Sequence, residues 1–292
     1  MRKSFTHSRM IINAYTSKLP FFSSLTLWGR LEGASKRVWL KLLGVSIISC
    51  AFFLLIACEK EKVETKPETG TVKDLDGNVY QTVKIGTQWW MDENLNVKHY
   101  RNGDSISYMG DAYEKTLDSA KWVNSVSGAY CKGRIDYLYN GYTVLDQRNI
   151  APEGWHIPTD EDWKELEKHI GMSQSEIDKM NWRGTNEANK IRLYSTAYWA
   201  NSPDPYEIWG TNESGFTALP NGCVVVSART VLDGLPKVSA RYSSSSDEMG
   251  FWWSSSIEGN QLWYRYLDKN KGGVFRYFGP MNYGFSIRCV KD

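Results

Sequence analysis

The stretch PTDEDWKELEKHIG, residues 158–171, is the one segment of this chain whose spacing dictates a clear helix. Thr159 is a good N-cap, and Asp162 stands three residues on as its capping-box partner. Asp160, Glu161 and Asp162 put negative charge into the first turn, where the helix dipole favours it. Trp163, Leu166 and Ile170 recur at helical spacing and define a buried stripe; Gly171 ends the helix. SQSEIDKM reads as a short second helix and NEANKIRLY as a possible third. A chain of 292 residues with so little helix must build its core from strands and irregular loops.

The strand signals agree. TVKDLDGNVYQTVKIGTQWW reads as strand, tight turn, strand, with Asp76-Gly77 supplying the turn. DLDGN superficially resembles a calcium loop, but Gly77 falls at the fourth position and Ile85 stands where the closing Glu belongs. LWYRYLDKNKGGVFRYFG alternates ring and polar residues around a Lys-Gly-Gly turn, and YGFSIRCV reads as a final buried strand. There are no tandem repeats. Rings must fill the core where helices are few, and the chain has 13 Trp, 17 Tyr and 10 Phe to do so.

Neighbouring side chains of a strand point to opposite faces. Trp252 and Trp253 in FWWSSS therefore cannot share one core, nor can Trp263 and Tyr264 in LWYRY. One ring of each pair is expected to face outward or lie under a loop. Two such rings on adjacent strands would form a small platform for sugar, with the hydroxyls of Ser254 to Ser256 at its edge. The alternative is that loops cover both faces.

No constellation for catalysis is present. His99, His156 and His169 lack metal-ligand spacing, and no G-x-S-x-G elbow occurs. His156, just before the helix cap, reads as a packed, hydrogen-bonded residue. Glu213 and Ser214 in GTNESGF read as a turn, and the acids at 160–162 as helix-start charges rather than a facing catalytic pair. The chain is expected not to be an enzyme and to need neither metal nor cofactor. A net charge of +2, with no basic stripe interleaved with aromatics, gives no case for nucleic acid.

At Cys58 a run of apolar residues, Leu42 to Ala57, stops against EKEKVETKPETG. Lys36, Arg37 and Lys41 precede the run, which is shorter than a spanning helix usually needs and suits a signal h-region. Leu55-Ile56-Ala57-Cys58 resembles the bacterial lipobox. A diacylglycerol is added to the Cys58 sulfur, and cleavage before Cys58 requires a small residue at 57. Two or three acyl chains then anchor durably where one would not. Glu59 in place of Asp favours the outer membrane, with the domain facing the periplasm or the cell surface. The alternative is an uncleaved anchor with Cys58 incidental. The expected organisation is a leader and signal peptide over residues 1–57, of which 1–35 reflect a start placed too far upstream. A charged tether over 58–70 is too polar to fold, and one domain spans 71–292.

DLDGNVYQTVKIGTQWWMDENL, APEGWHIPTDEDWKEL, GTNESGFTALP, FWWSSS and YGFSIRCVKD, in that order, resemble the Fibrobacter succinogenes major paralogous domain of Bacteroidetes and Fibrobacter lipoproteins. The resemblance implies an α+β, C-type-lectin-like fold of twisted antiparallel sheets, one main helix and long irregular loops. It implies no known reaction. The calcium-lectin pairing of E-P-N or Q-P-D with W-N-D is missing, since LPNG lacks the acid. Formylglycine-generating relatives use a cysteine pair near the end of their fold, where this chain has only Cys289. PNGCVVV departs from the family by carrying Cys223 in a normally Gly-rich stretch. Three cysteines remain beyond Cys58, and an odd count leaves one free or all reduced. GAYC and RCV being family positions, the resemblance implies a Cys131–Cys289 bridge with Cys223 unpaired; reduced, buried thiols are the alternative. Two functions stay open. One is a surface binding module for glycan or protein, using Trp252, Trp253, Trp263 and Tyr264. The other is a structural or assembly lipoprotein with all its rings in the core.

Overall fold

The structure, a computed structural model, describes residues 66–108, 121–124, 136–193, 199, 210–230, 236–242 and 248–292. Cys58, the apolar run before it and Cys131 lie outside the described residues. Thr65–Asp292 form one compact unit. It is an α+β arrangement dominated by antiparallel sheets. No helix among the described residues is long and apolar enough to cross a membrane.

The chain enters through β1 (Thr69–Lys73), β2 (Val79–Ile85) and β3 (Gln88–Met91). β1 opens two residues inside the stretch expected to be tether, because Thr69 and Gly70 pair with Val83 and Thr82. The turn behaves as its sequence requires. The Asp74 carboxylate accepts from Asn78 N at 2.9 Å and from the Tyr80 hydroxyl at 2.6 Å. Next come β4 (Ser107–Tyr108), β5 (Lys121–Asn124), β6 (Tyr137–Asn140), the single turn α1 (Gly141–Val144) and β7 (Trp155–His156). β4 and β5 pair in parallel.

The expected helix is α2 (Asp160–His169), with both arms of the Thr159–Asp162 capping box in place. Trp163, Leu166 and Ile170 are buried. Gly171 stops it at φ +105°, a backbone conformation that favours glycine. The other expected helices are single turns, α3 (Gln174–Ile177) and α4 (Glu187–Ile191), flanking a strand the sequence did not announce, β8 (Asn181–Arg183). β9 (Val224–Thr230) and β10 (Pro236–Tyr242) form a hairpin. β11 (Met249–Glu258), β12 (Gln261–Asp268) and β13 (Val274–Pro280) form a meander, and β14 (Gly284–Phe285) and β15 (Val290–Lys291) close the chain.

Three sheets result, in the orders β1-β2-β3-β15-β7, β10-β9-β14-β6-β5-β4 and β11-β12-β13-β8. The expected final strand is not continuous. Its backbone crosses between sheets and is shared out among neighbours. Ser286 exchanges hydrogen bonds with Trp253 N and Phe251 O, Ile287 O accepts from Leu95 N, and Cys289 O accepts from Met91 N. Phe285, Ile287 and Cys289 are nevertheless fully enclosed. Cys289 carries a free thiol, as does buried Cys223. The partner implied for Cys289, Cys131, lies outside the described residues; Cys289 itself belongs to the same core as Ile287 and Phe285.

Two hydrophobic cores lie on opposite faces of β11. Trp253, Phe285, Tyr139, Leu262 and Cys289 belong to one. Trp252, Trp90, Trp163, Phe216 and Leu267 belong to the other, beneath α2. β3 divides the same way, with Met91 in the first core and Trp90 in the second. The alternation rule holds, and both faces of β11 are covered.

Candidate functional site

On the helix side of the meander, Arg265 and Arg276 stand directly opposite each other on β12 and β13, a pairing that repels. Asp160, the first residue of α2, lies between them. Its carboxylate accepts from Arg265 Nη1 at 2.8 Å and from Arg276 Nη2 at 2.6 Å. Two turns on, Glu167 accepts from Arg265 Nε at 2.6 Å and from Arg183 Nη2 at 2.7 Å. All five side chains are buried. Burial pushes the Asp160 carboxyl up, but the Arg276 hydrogen bonds and the Arg265 charge outweigh it and hold the group well below the usual carboxylate range. The Arg276 guanidinium also lies 3.7 Å from the centroid of the Trp263 ring. Both carboxylates are occupied by guanidinium groups, so this cluster ties helix to sheet and has no group left for acid–base chemistry.

The other face of the meander is a field of rings. Phe251, Tyr266, Phe275 and Trp182 face one another across four successive strands, β11, β12, β13 and β8. Trp253, Tyr264 and Tyr277 form a second row. Successive centroids of the first row are 4.5, 5.7 and 5.3 Å apart, and Phe251 and Tyr266 are stacked. At the β11 end the rows run into the first core, where Phe285 packs 4.3 Å from Trp253 and 5.1 Å from Phe251. At the other end that cover runs out. Trp182 is 37% and Tyr277 36% exposed, with Tyr266 and Phe275 half-buried between them. Burial pushes the Tyr264 hydroxyl up to about 12. Burial also raises that of Tyr266, which donates to Asp268 Oδ2 at 2.6 Å. The Lys271 ammonium lies 6.0 Å from the Trp182 ring, and Asn181 and Met180 are exposed beside it. The turn that sets this edge depends on Gly272, where any side chain would collide with the Thr185 carbonyl.

The platform expected from the sequence is corrected by this geometry. Trp252 and Trp253 do point to opposite faces, but each enters a core, at 1% and 0% exposure. Trp252 Nε1 donates to Asn94 Oδ1 and Trp253 Nε1 to the Tyr139 carbonyl. Trp263 lies under Arg276 and is also buried, leaving Tyr264 as the one half-buried member of the expected set. The serine hydroxyls are used internally: Ser254 is buried, Ser255 donates to the Ile157 carbonyl, and Ser256 accepts from Asp160 N. Ser214 similarly donates to the Lys190 carbonyl. The open rings Trp182, Phe275, Tyr266 and Tyr277 were missed. Their signal was the inward alternation of Arg265 and Arg276, which turns the flanking rings to the other face.

His156 anchors a further polar cluster, at the start of α2. Its Nδ1 lies 2.7 Å from Asp292 Oδ1 and its Nε2 3.2 Å from Asp162 Oδ2. Asp162 also accepts from Thr159 N and Gln88 Nε2. The Asp162 hydrogen bond raises the imidazole pKa, burial opposes this, and Asp292 adds to the rise. The folded value thus exceeds the unfolded one of about 6.5. The stabilisation is complete below about 6.5 and is lost as pH rises through the folded value. An NMR titration of His156 in the native protein should give a midpoint above about 6.5, and Asp292→Asn should lower it. A midpoint at or below the unfolded value contradicts the assignment.

The family model described as the Fibrobacter succinogenes major domain matches residues 83–291. Those residues hold both faces of the meander, α2, and His156 with its partner Asp162. Neither the curated proteins nor the solved structures contain a significant match to this chain.

Proposed function

This chain belongs to the Fibrobacter succinogenes major domain family, and from that premise we propose that it is a cell-envelope lipoprotein displaying a non-catalytic binding module. The proposed ligand is a glycan or a protein at the cell surface. The single observation that carries the reading is the ring field that leaves the core and reaches solvent at Trp182 and Tyr277. Soluble domains seldom leave contiguous rings open without use. We read the antiparallel sheets with one long helix as a C-type-lectin-like arrangement, and the route to the membrane as lipid on Cys58 at the outer membrane. A second reading, a structural or assembly lipoprotein, draws on the burial of Trp252 and Trp253.

Two experiments test the two halves of the proposal. Mass spectrometry of the mature protein should find its N-terminus at Cys58 carrying acyl chains, and Cys58→Ser should release the protein or leave an unprocessed precursor. An unmodified terminus upstream of Cys58 contradicts the anchor. For the binding half, Trp182→p-benzoylphenylalanine in the full chain, photolysed in intact cells, should give a discrete adduct. The same substitution at exposed Tyr108, on β4, should not. No adduct at 182 contradicts the binding module and favours the structural reading.

A further inference from the structure

We propose that the open half of the ring field, Trp182, Phe275, Tyr266 and Tyr277, is a seat for a neutral oligosaccharide bound without a metal ion; this rests on the binding-module reading above. The chemistry of the face selects the occupant. A pyranose ring has an apolar C–H face and a hydroxyl rim. The seat offers ring carbon at its centre and polar groups around its margin: the Tyr266 hydroxyl with Asp268, the Lys271 ammonium, Asn181, and the Tyr277 hydroxyl. The margin carries one acid and one ammonium, so it gives no net attraction to a polyanion or a polycation. An amphipathic helix would need a hydrophobic groove to lie in. Here the face is a sheet surface on which the half-buried rings of Tyr266 and Phe275 tilt 54° and 64° to exposed Trp182, presenting both ring faces and edges.

The seat is also built rather than pliable. Phe251 packs against the first core and stacks on Phe285 with 17° between the planes, and Tyr266 and Phe275 are in ring contact with Phe251 and Tyr264 respectively. Rings fixed before binding lose little conformational freedom when a ligand arrives. Trp182 and Tyr277 lie on neighbouring strands at the free edge, two residues apart in register: Trp182 faces Phe275, and Tyr277 follows two residues along β13. Each of the two therefore contacts a different part of an extended ligand. Asp268 is oriented by the Tyr266 hydroxyl and by Asn270 N, which fixes an acceptor at the margin for a sugar hydroxyl. Ring stacking together with those hydrogen bonds needs no bridging cation.

Detergent-solubilised full chain, titrated calorimetrically with cellohexaose, xylohexaose and mannohexaose, should bind at least one of the three, equally well with and without EDTA. Trp182→Ala and Tyr277→Ala should each weaken that binding by roughly tenfold or more, as for ring anchors at the centre of an interface. Tyr108→Ala should leave it unchanged, and the melting temperatures of the two seat variants should stay close to that of the parent. Loss of binding in EDTA, or hexaose binding unaffected by both substitutions, overturns the seat. If no hexaose binds while the adduct at position 182 contains peptides of a second protein, the ligand is a protein: the sugar seat falls and the binding module stands. If no hexaose binds and no adduct forms, both fall.

Discussion

Glu167→Ala is expected to cost about 3–5 kcal/mol of folding stability, because it leaves Arg183 charged in the interior without a carboxylate and leaves Arg265 only Asp160, which Arg276 already shares. Glu167 is 1% exposed, and its carboxylate is the partner of both guanidinium groups. The gross attraction between these charges is offset by what it cost to dehydrate them, so the intact network adds only modestly to stability. The penalty appears when one member is removed. Urea unfolding reads it directly, as a lower midpoint at unchanged slope. The companion test follows from Asp160. Its folded pKa is depressed, so its contribution is present above the unfolded value of about 4 and disappears as pH falls below it. Asp160→Asn should flatten the acid limb of the stability curve. A Glu167→Ala loss under about 1 kcal/mol would mean that water reaches the network and screens it.

Trp253→Ala is expected to cost about 3–5 kcal/mol, as large-to-small changes in a closed core do, and Trp252→Ala a similar amount. Each removal also strips a donor from a buried acceptor, the Tyr139 carbonyl for Trp253 and Asn94 Oδ1 for Trp252. Trp182→Ala should cost far less, because its ring already keeps over a third of its surface in water. The contrast separates the core rings from the seat rings by stability alone, before any ligand is added. A Trp253→Ala protein as stable as its parent would place that ring outside the core.

The elements that proved legible are those specified by their own residues. The Thr159–Asp162 box, the stripe Trp163, Leu166 and Ile170, and Gly171 are local signals, and each holds. The same is true of the Asp76-Gly77 turn and the Lys-Gly-Gly hairpin. What was not legible depended on partners distant in sequence. Parity placed Trp252 and Trp253 on opposite faces, but parity is silent on whether a face is covered. Phe285, more than thirty residues on, covers one, and the Trp90–Trp163–Phe216 cluster covers the other. Asp160 read as a helix-start charge, and it is one; that it also separates two arginines could be seen only after β12 and β13 were paired. Asn181–Arg183 is three residues long and is a strand only because Val274, Phe275 and Arg276 pair with it. So short a segment has no period to read. The open rings were hidden by the same fact, since Trp182 sits on that strand.

The central claim is that the conspicuous tryptophans Trp252, Trp253 and Trp263 are core, and that the face offered to a ligand is the edge at Trp182 and Tyr277. Hydroxyl-radical footprinting of the native full chain, read by mass spectrometry at each tryptophan, tests it most directly. Trp182 should be oxidised well ahead of Trp90, Trp163, Trp252 and Trp253, which should react only when the protein is unfolded. Native-state oxidation of Trp252 or Trp253 at a rate matching that of Trp182 would contradict it.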